Sequence, residues 1–196
     1  MGWVEKGSVV GMGYRSCVGL VAVCVTLGFV TMPVMAQDAP VVVMDTSFGE
    51  ITVELAPTAA PISVENFLAY ADAEHYDNTV FHRVIQTFMI QGGAYSSEMR
   101  TKPTRDPIKN EAENGLTNDH YTIVMARTSE IDSATDQFFI NTADNDFLNN
   151  GVRDFGYAVF GRVIDGTDVV DRIAATPVTN NLPDEAVVIR SVRRRD

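Results

Sequence analysis

Apolar and polar positions change their spacing several times along this chain. Val41-Val42-Val43-Met44 and Ile51-Thr52-Val53-Glu54-Leu55 are β-branched runs on either side of Ser47-Phe48-Gly49, which predicts two strands joined by a turn. Pro57 and Pro61 bracket a short irregular link. Val64, Phe67, Leu68 and Ala71 then recur at helical spacing with Ser63 placed to cap, predicting an amphipathic helix over residues 64 to 74. Asp77-Asn78 turns the chain into two further extended runs, residues 79 to 85 and 88 to 91, interrupted at Gln86-Thr87 and ended by Gly92-Gly93. From Ala94 to His120 periodicity vanishes for 27 residues, and Pro103 and Pro107 bar a helix there. Only Ile108 to Glu111 is expected to pair briefly, and a loop this long is usually functional or partly disordered.

Beyond the loop, Ile123 to Ala126 resumes the extended pattern. Gln137, Phe139 and Asn141 alternate with Phe138 and Ile140, which puts a polar-plus-aromatic set on one face and an apolar, core-facing pair on the other. Asp144 to Gly151 is turn chemistry carrying Phe147-Leu148, and Tyr157 to Val163 is another strand. Thr167 is expected to cap a second helix that buries Val169, Val170, Ile173 and Ala174 and stops at Pro177, with Val187 to Val192 as the last strand. Many short strands with a helix near each end predict a mainly β domain, an antiparallel barrel closed by two helices, because closure removes exposed edges.

The N-terminus changes the picture of where this domain begins. Lys6 and Arg15 precede a 16-residue apolar run from Cys17 to Met32, and Val34-Met35-Ala36 has the form of a small-residue cleavage site. Residues 1 to 36 therefore read as a secretory signal peptide and residues 37 to 196 as one domain. The run is short of the ~20 residues a spanning helix needs, which disfavours an uncleaved anchor. The preceding segment is long and contains Glu5, so Met12 is a second candidate for the start of translation. Cleavage after Ala36 removes one acid (Glu5) and two bases (Lys6, Arg15), which takes the formal charge from −11 to −12. Such a surface repels nucleic acid and anionic lipid, so neither is expected as a partner. Arg193-Arg194-Arg195 reads as a solvated basic tail. Both cysteines, Cys17 and Cys24, lie in the leader, so the domain has no disulfide, cysteine nucleophile or Cys-based metal site, a composition suited to an oxidising compartment.

Candidate chemistry concentrates in Phe81-His82-Arg83-Val84-Ile85-Gln86-Thr87-Phe88-Met89-Ile90-Gln91-Gly92-Gly93. An arginine, a large aromatic, a methionine and a glutamine lie on neighbouring extended segments, and only His82 titrates near neutrality. The set is poorly equipped for proton transfer or nucleophilic attack, and better equipped to hold an apolar ring beside a carbonyl. Other site types fail. His75, His82 and His120 have no metal-ligand spacing, so no metal is expected. Counted from Asp146 as a calcium loop, the twelfth position is Tyr157 where Glu is needed. Neither GxSxG nor a P-loop occurs.

The segment FHRVIQTFMIQGG resembles the signature of cyclophilins, the peptidyl-prolyl cis-trans isomerases. Further matches follow in order: Met125-Ala126-Arg127-Thr128, Ser133 to Asn141, Asp146-Phe147-Leu148, and Gly156 to Gly161. The resemblance spans roughly residues 41 to 193 and is closest to the periplasmic cyclophilins of Gram-negative bacteria. It implies an eight-stranded closed barrel capped by two helices, and rotation about X-Pro bonds without cofactor or metal. By the same resemblance Arg83 is the catalytic residue, with Phe88 and Gln91 beside it. Met89, Phe139 and Leu148 form the proline pocket with Phe88, and Gln137 hydrogen-bonds substrate or orients the arginine. Ala126 and Arg127 line the peptide's path, Phe147 and Tyr157 complete the site, and His82 buttresses it.

Some positions depart from the best-known pattern. Phe147 stands where many members have Trp, Tyr157 where many have His, Arg127 replaces Asn, Asp136 replaces Ser or Gly, and Gln86-Thr87 replaces Pro-Gly. Without an indole N–H at Phe147, cyclosporin binding is expected to be weak. The expected protein is a periplasmic, monomeric isomerase acting on unfolded or exported polypeptides. A holdase that binds proline peptides, with incidental isomerisation, is the alternative. A barrel enclosing a small apolar ligand is the third possibility.

Overall fold

The computed structural model describes residues 39–195. The signal-peptide assignment and both cysteines therefore lie outside the described residues. Eleven strands and two α-helices follow in order, and the first strands form a hairpin. In it β1 (Val41–Thr46) pairs antiparallel with β2 (Gly49–Leu55) around a two-residue turn at Ser47-Phe48. The Thr46 hydroxyl donates to the Gly49 carbonyl at 2.6 Å and accepts the Phe48 N–H at 3.1 Å, which fixes that turn.

Helix α1 (Pro61–Asp72) begins earlier than the sequence predicts, with Pro61 in its first turn rather than in a linker. Proline suits that position because its missing N–H would have no helical partner there. Ser63 is not the cap. Glu111, from the long loop, accepts the Ile62 N–H at 3.0 Å and the Ser63 N–H and hydroxyl at 2.7 Å each, satisfying orphan donors from 48 residues away in sequence.

The run predicted over 79 to 85 is two strands, β3 (Thr79–Val80) and β4 (Arg83–Ile85), parted by Phe81-His82. They lie at opposite ends of the sheet. With β5 (Met89–Gly92), β6 (Thr122–Met125), β7 (Phe138–Asn141), β8 (Val159–Asp165) and β11 (Val188–Arg194), the strand order is β3-β11-β1-β2-β8-β6-β7-β5-β4. The expected closed eight-stranded barrel is thus corrected to a curled, nine-stranded antiparallel half-barrel. Its terminal strands do not pair with each other, but the two residues between them carry the chain across the gap. Bonds from Phe81 N–H to the Val187 carbonyl (3.0 Å) and from Val84 N–H to the Asn181 carbonyl (2.7 Å) use backbone groups there that a ladder would otherwise pair. Asn181 belongs to a small hairpin of β9 (Val178–Thr179) and β10 (Leu182–Pro183), whose Asn180 and Asn181 both have positive φ. Two consecutive left-handed residues are what a tight hairpin turn needs, and Asn tolerates them.

One sheet face packs on the main core. Met44, Ile51, Val53, Phe138, Ile140 and Ile189 meet Phe67 and Leu68 of α1, and Val170 and Ile173 of α2 (Thr167–Ala174). Fully burying each such side chain contributes ~1.5–3 kcal/mol. Thr167 is the first residue of α2 rather than its cap, since left-handed Gly166 occupies that place. Gly93 ends β5 with φ 98°, and a Cβ there would come within 2.7 Å of the Asp136 carbonyl oxygen, so both the turn and the approach require glycine. The long loop makes specific contacts, including the cap that Glu111 gives α1. Ile108 bridges Ala134 as anticipated, and Ala112–Asn114 forms a 3-10 turn. The expected basic tail is mostly strand: Arg193 and Arg194 lie in β11 and pair with Asp77 and Asp72.

Candidate active site

On the face opposite the main core lies a second apolar cluster of Met89, Val124, Phe139, Leu148 and Val159, joined by Phe88, Ala126 and Tyr157. Strand register builds it. Arg83 sits opposite Gln91, Gln91 opposite Phe139, and Phe139 opposite Val124, so these four side chains form one row across β4, β5, β7 and β6. Met89, two residues from Gln91, shares their face. Phe138 and Ile140 point the other way into the core, as the alternation predicts.

A groove of about 250 Å³ opens above this row. Of the residues singled out in the sequence, Arg83, Phe88, Met89, Gln91, Ala126, Arg127, Phe139, Leu148 and Tyr157 line it. Met89, Phe139 and Leu148 are buried, while Arg83 is exposed at the rim. Arg83 Nη1 donates to Gln91 Oε1 at 3.3 Å, and Gln91 Nε2 donates to Gln137 Oε1 at 2.9 Å. Gln137 thus touches the site through Gln91 without lining the groove. The guanidinium carbon of Arg83 is 6.0 Å from the Phe88 ring centre, where it covers part of that ring.

Phe147 and Leu148 arrive on a 3-10 turn, Asp146–Leu148. Asn145 anchors that turn, its side-chain amide donating to the Phe88 carbonyl at 2.8 Å and to Asn141 Oδ1 at 2.7 Å. Leu148 goes into the cluster. Phe147 stays outside the groove lining and 43% exposed, stacked on Phe88 with ring centres 5.6 Å apart. Tyr157 meets Phe139 edge-on at 6.0 Å.

Arg127 is held differently from Arg83. Its Nε donates to the Gly156 carbonyl (3.0 Å), Nη1 to the Thr128 carbonyl (3.0 Å) and Nη2 to Asp154 (2.8 Å), while its guanidinium lies 4.4 Å over Tyr157. The Gly156 N–H, helped by Arg127 and Arg153, holds the Asp154 carboxyl below the usual carboxylate range. Arg127 therefore forms a fixed wall. The Ala126 N–H is bonded to the Gln137 carbonyl at 3.0 Å.

His82 does not line the groove; its ring packs edge-on against Tyr95 at 4.7 Å. Its buried Nδ1 has no hydrogen-bond partner. Burial pushes the imidazole below its ordinary pKa, with the Arg83 charge adding to this and the Val80 carbonyl opposing it. Sequence reasoning missed Arg153, which lines the groove, and Asp154, which fixes Arg127. A charged pair inside a loop carries no periodic signal that would single it out.

A half-barrel with an apolar cleft on its outer face and an arginine at the rim has the parts to hold an apolar ring beside an amide and to donate to that amide. Residues 41–194 match the family described as cyclophilin type peptidyl-prolyl cis-trans isomerase/CLD. The chain is 52% identical over 157 residues to peptidyl-prolyl cis-trans isomerase A of Dickeya dadantii, covering 78% of this chain and 83% of that one. It is 50% identical over 176 residues to a peptidyl-prolyl cis-trans isomerase of Acinetobacter baylyi, covering 87% and 94%. Among solved structures, a cyclophilin type isomerase of Cryptosporidium parvum superposes with a TM-score of 0.70 at 25% identity, covering 81% of this chain and 98% of that one. The chain belongs to the cyclophilin family and is a peptidyl-prolyl cis-trans isomerase.

Proposed function

We propose that the outer groove is where an X-Pro bond is turned, with Arg83 as the catalytic residue. The observation that carries this is the row Arg83–Gln91–Phe139, which sets a guanidinium at the edge of an apolar floor. A planar amide resists rotation by ~18–20 kcal/mol because conjugation must be broken. A proline ring seated on Phe88, Met89, Phe139 and Leu148 fixes one side of the bond. Arg83, steadied by Gln91 and through it by Gln137, donates to the proline nitrogen or carbonyl as conjugation is lost, so it binds the twisted amide better than the planar one. Ala126, Arg127 and Tyr157 bound the path of the peptide, and His82 supports the strand that carries Arg83. No proton is transferred and no covalent bond breaks.

The natural substrates in this reading are unfolded or exported polypeptides met in the periplasm by a monomer, after cleavage of the leader. The apolar leader and the thiol-free domain support it. Cyclosporin binds weakly, because Phe147 offers a ring without a donor; a nanomolar inhibition constant in a titration would contradict that. Isomerisation of a short X-Pro peptide by wild type beside Arg83→Ala tests the assignment of the groove.

A further inference from the structure

We propose that the groove selects among X-Pro peptides by charge, favouring an acidic residue next to the X-Pro dipeptide on one side or the other, with Arg153 as the specificity-determining cation. The inference rests on the reading of the groove given above. Three guanidinium groups, those of Arg83, Arg127 and Arg153, line it, and no carboxylate does, although the chain carries a formal charge of −11. Four arginines outside the groove each have a carboxylate that no other arginine shares: Arg172 with Asp168, Arg190 with Asp45, Arg193 with Asp77, and Arg194 with Asp72. In the groove carboxylates are scarcer. Arg83 has no ion-pair partner among the described residues, and its hydrogen bond goes to the neutral amide of Gln91. Arg127 and Arg153 share a single carboxylate, Asp154, at 2.8 and 3.3 Å. Three cations therefore face one anion.

The two arginines that share Asp154 differ in freedom. Arg127 has only 5% of its side chain exposed and directs donors from all three guanidinium nitrogens to the protein, so it cannot turn toward a ligand. Arg153 is 51% exposed and engages Asp154 through Nε, which leaves both Nη groups without a protein partner among the described residues. Its guanidinium carbon lies 5.5 Å from the Phe147 ring centre. Phe147 stacks on Phe88, and Phe88 lies beneath Arg83. From the groove to its outer edge the side chains thus run Arg83, Phe88, Phe147, Arg153, with Phe147 just outside the lining and both arginines part of it.

The protein's net negative charge opposes the approach of an acidic peptide from a distance. At physiological salt that field is screened beyond about 8 Å, whereas a carboxylate in contact with Arg153 lies inside that range. The local pair decides the preference, and its size should be that of one exposed ion pair, roughly three- to five-fold in kcat/KM.

N-acetylated, C-amidated Ala-Ala-Pro-Phe and its relatives with Glu, Gln or Lys in the first or the last position are suitable probes, followed by NMR exchange so that no coupling protease is needed. With wild type, at least one Glu peptide should exceed its Gln counterpart by roughly three- to five-fold, with the Lys peptide below both. That ordering should shrink as salt approaches about 1 M, where screening acts over roughly 3 Å. Arg153→Gln should flatten the Glu-to-Gln ratio, and Arg153→Glu should invert it. Equal turnover of Glu, Gln and Lys peptides, or a Glu preference that survives Arg153→Glu, would overturn the inference. Should either variant fold poorly, the salt series on wild type decides the matter, since a Glu preference unchanged at about 1 M salt would equally overturn it. Turnover without charge preference sinks this inference alone, whereas loss of charge preference together with full turnover in Arg83→Ala sinks the reading of the groove as well.

Discussion

At the scale of single residues, the proposed mechanism relies on Arg83, a guanidinium, rather than on a group that must gain or lose a proton. A guanidinium remains protonated, and its planar fork can hold Gln91 with one donor while offering others to a substrate. His82 is the neighbouring group that can change state, and its environment is set against protonation. Its pKa is lower in the folded chain than in the unfolded chain, so below about pH 6.5 the unfolded state binds the extra proton first. Stability contributed by neutral His82 is present above that pH and is lost as the pH falls toward the folded-state value. Urea midpoints measured between pH 7.5 and pH 5 should therefore fall more steeply for wild type than for His82→Gln, which cannot titrate. Parallel curves would show that the imidazole is not the titrating group.

At the scale of elements, the position of α1 depends on a residue far along the chain. Glu111→Ala removes the acceptor of the Ile62 and Ser63 N–H groups and should cost about 0.5–2 kcal/mol, the usual value of a helix cap. Hydrogen exchange should accelerate at Ile62 and Ser63 while α2 is unchanged; unaltered protection at both amides would contradict the cap. The same helix shows what the sequence could and could not reveal. Val64, Phe67, Leu68 and Ala71 gave its buried face by spacing alone, yet its start was misplaced because the cap comes from another segment. Likewise, alternation separated Phe138 from Phe139 correctly, since a strand has only two faces. The split of residues 79 to 85 into β3 and β4 was not legible, because both halves are equally β-branched and only the long-range partners differ. The β9–β10 hairpin did leave a trace, Asn180-Asn181 between Thr179 and Leu182, which fits a two-residue turn. The nine groove residues were legible through the cyclophilin resemblance, because they fall inside the blocks FHRVIQTFMIQGG, Met125–Thr128, Ser133–Asn141, Asp146–Leu148 and Gly156–Gly161. Arg153 and Asp154 were not, because loop geometry brings them there.

At the scale of the whole molecule, the sheet separates two tasks. One face holds the protein together through the main core with both helices, and the other carries the groove. One of the half-barrel's two terminal strands lies at the site, since β4, at one end of the strand order, presents Arg83. The proposed export of the chain concerns the whole protein too. Mass spectrometry of the protein recovered from the cell envelope should give a mature N-terminus at Gln37, and recovery of a chain that retains residues 17 to 32 would contradict the leader. The central claim is that the groove accelerates X-Pro rotation through Arg83 rather than merely holding proline peptides. Its most direct test is kcat/KM for an X-Pro peptide beside the peptide's dissociation constant, in wild type and Arg83→Ala. Turnover should fall by a factor on the order of 10²–10³, the usual cost of one electrostatic donor, while the dissociation constant changes little. Full turnover by Arg83→Ala would contradict the account.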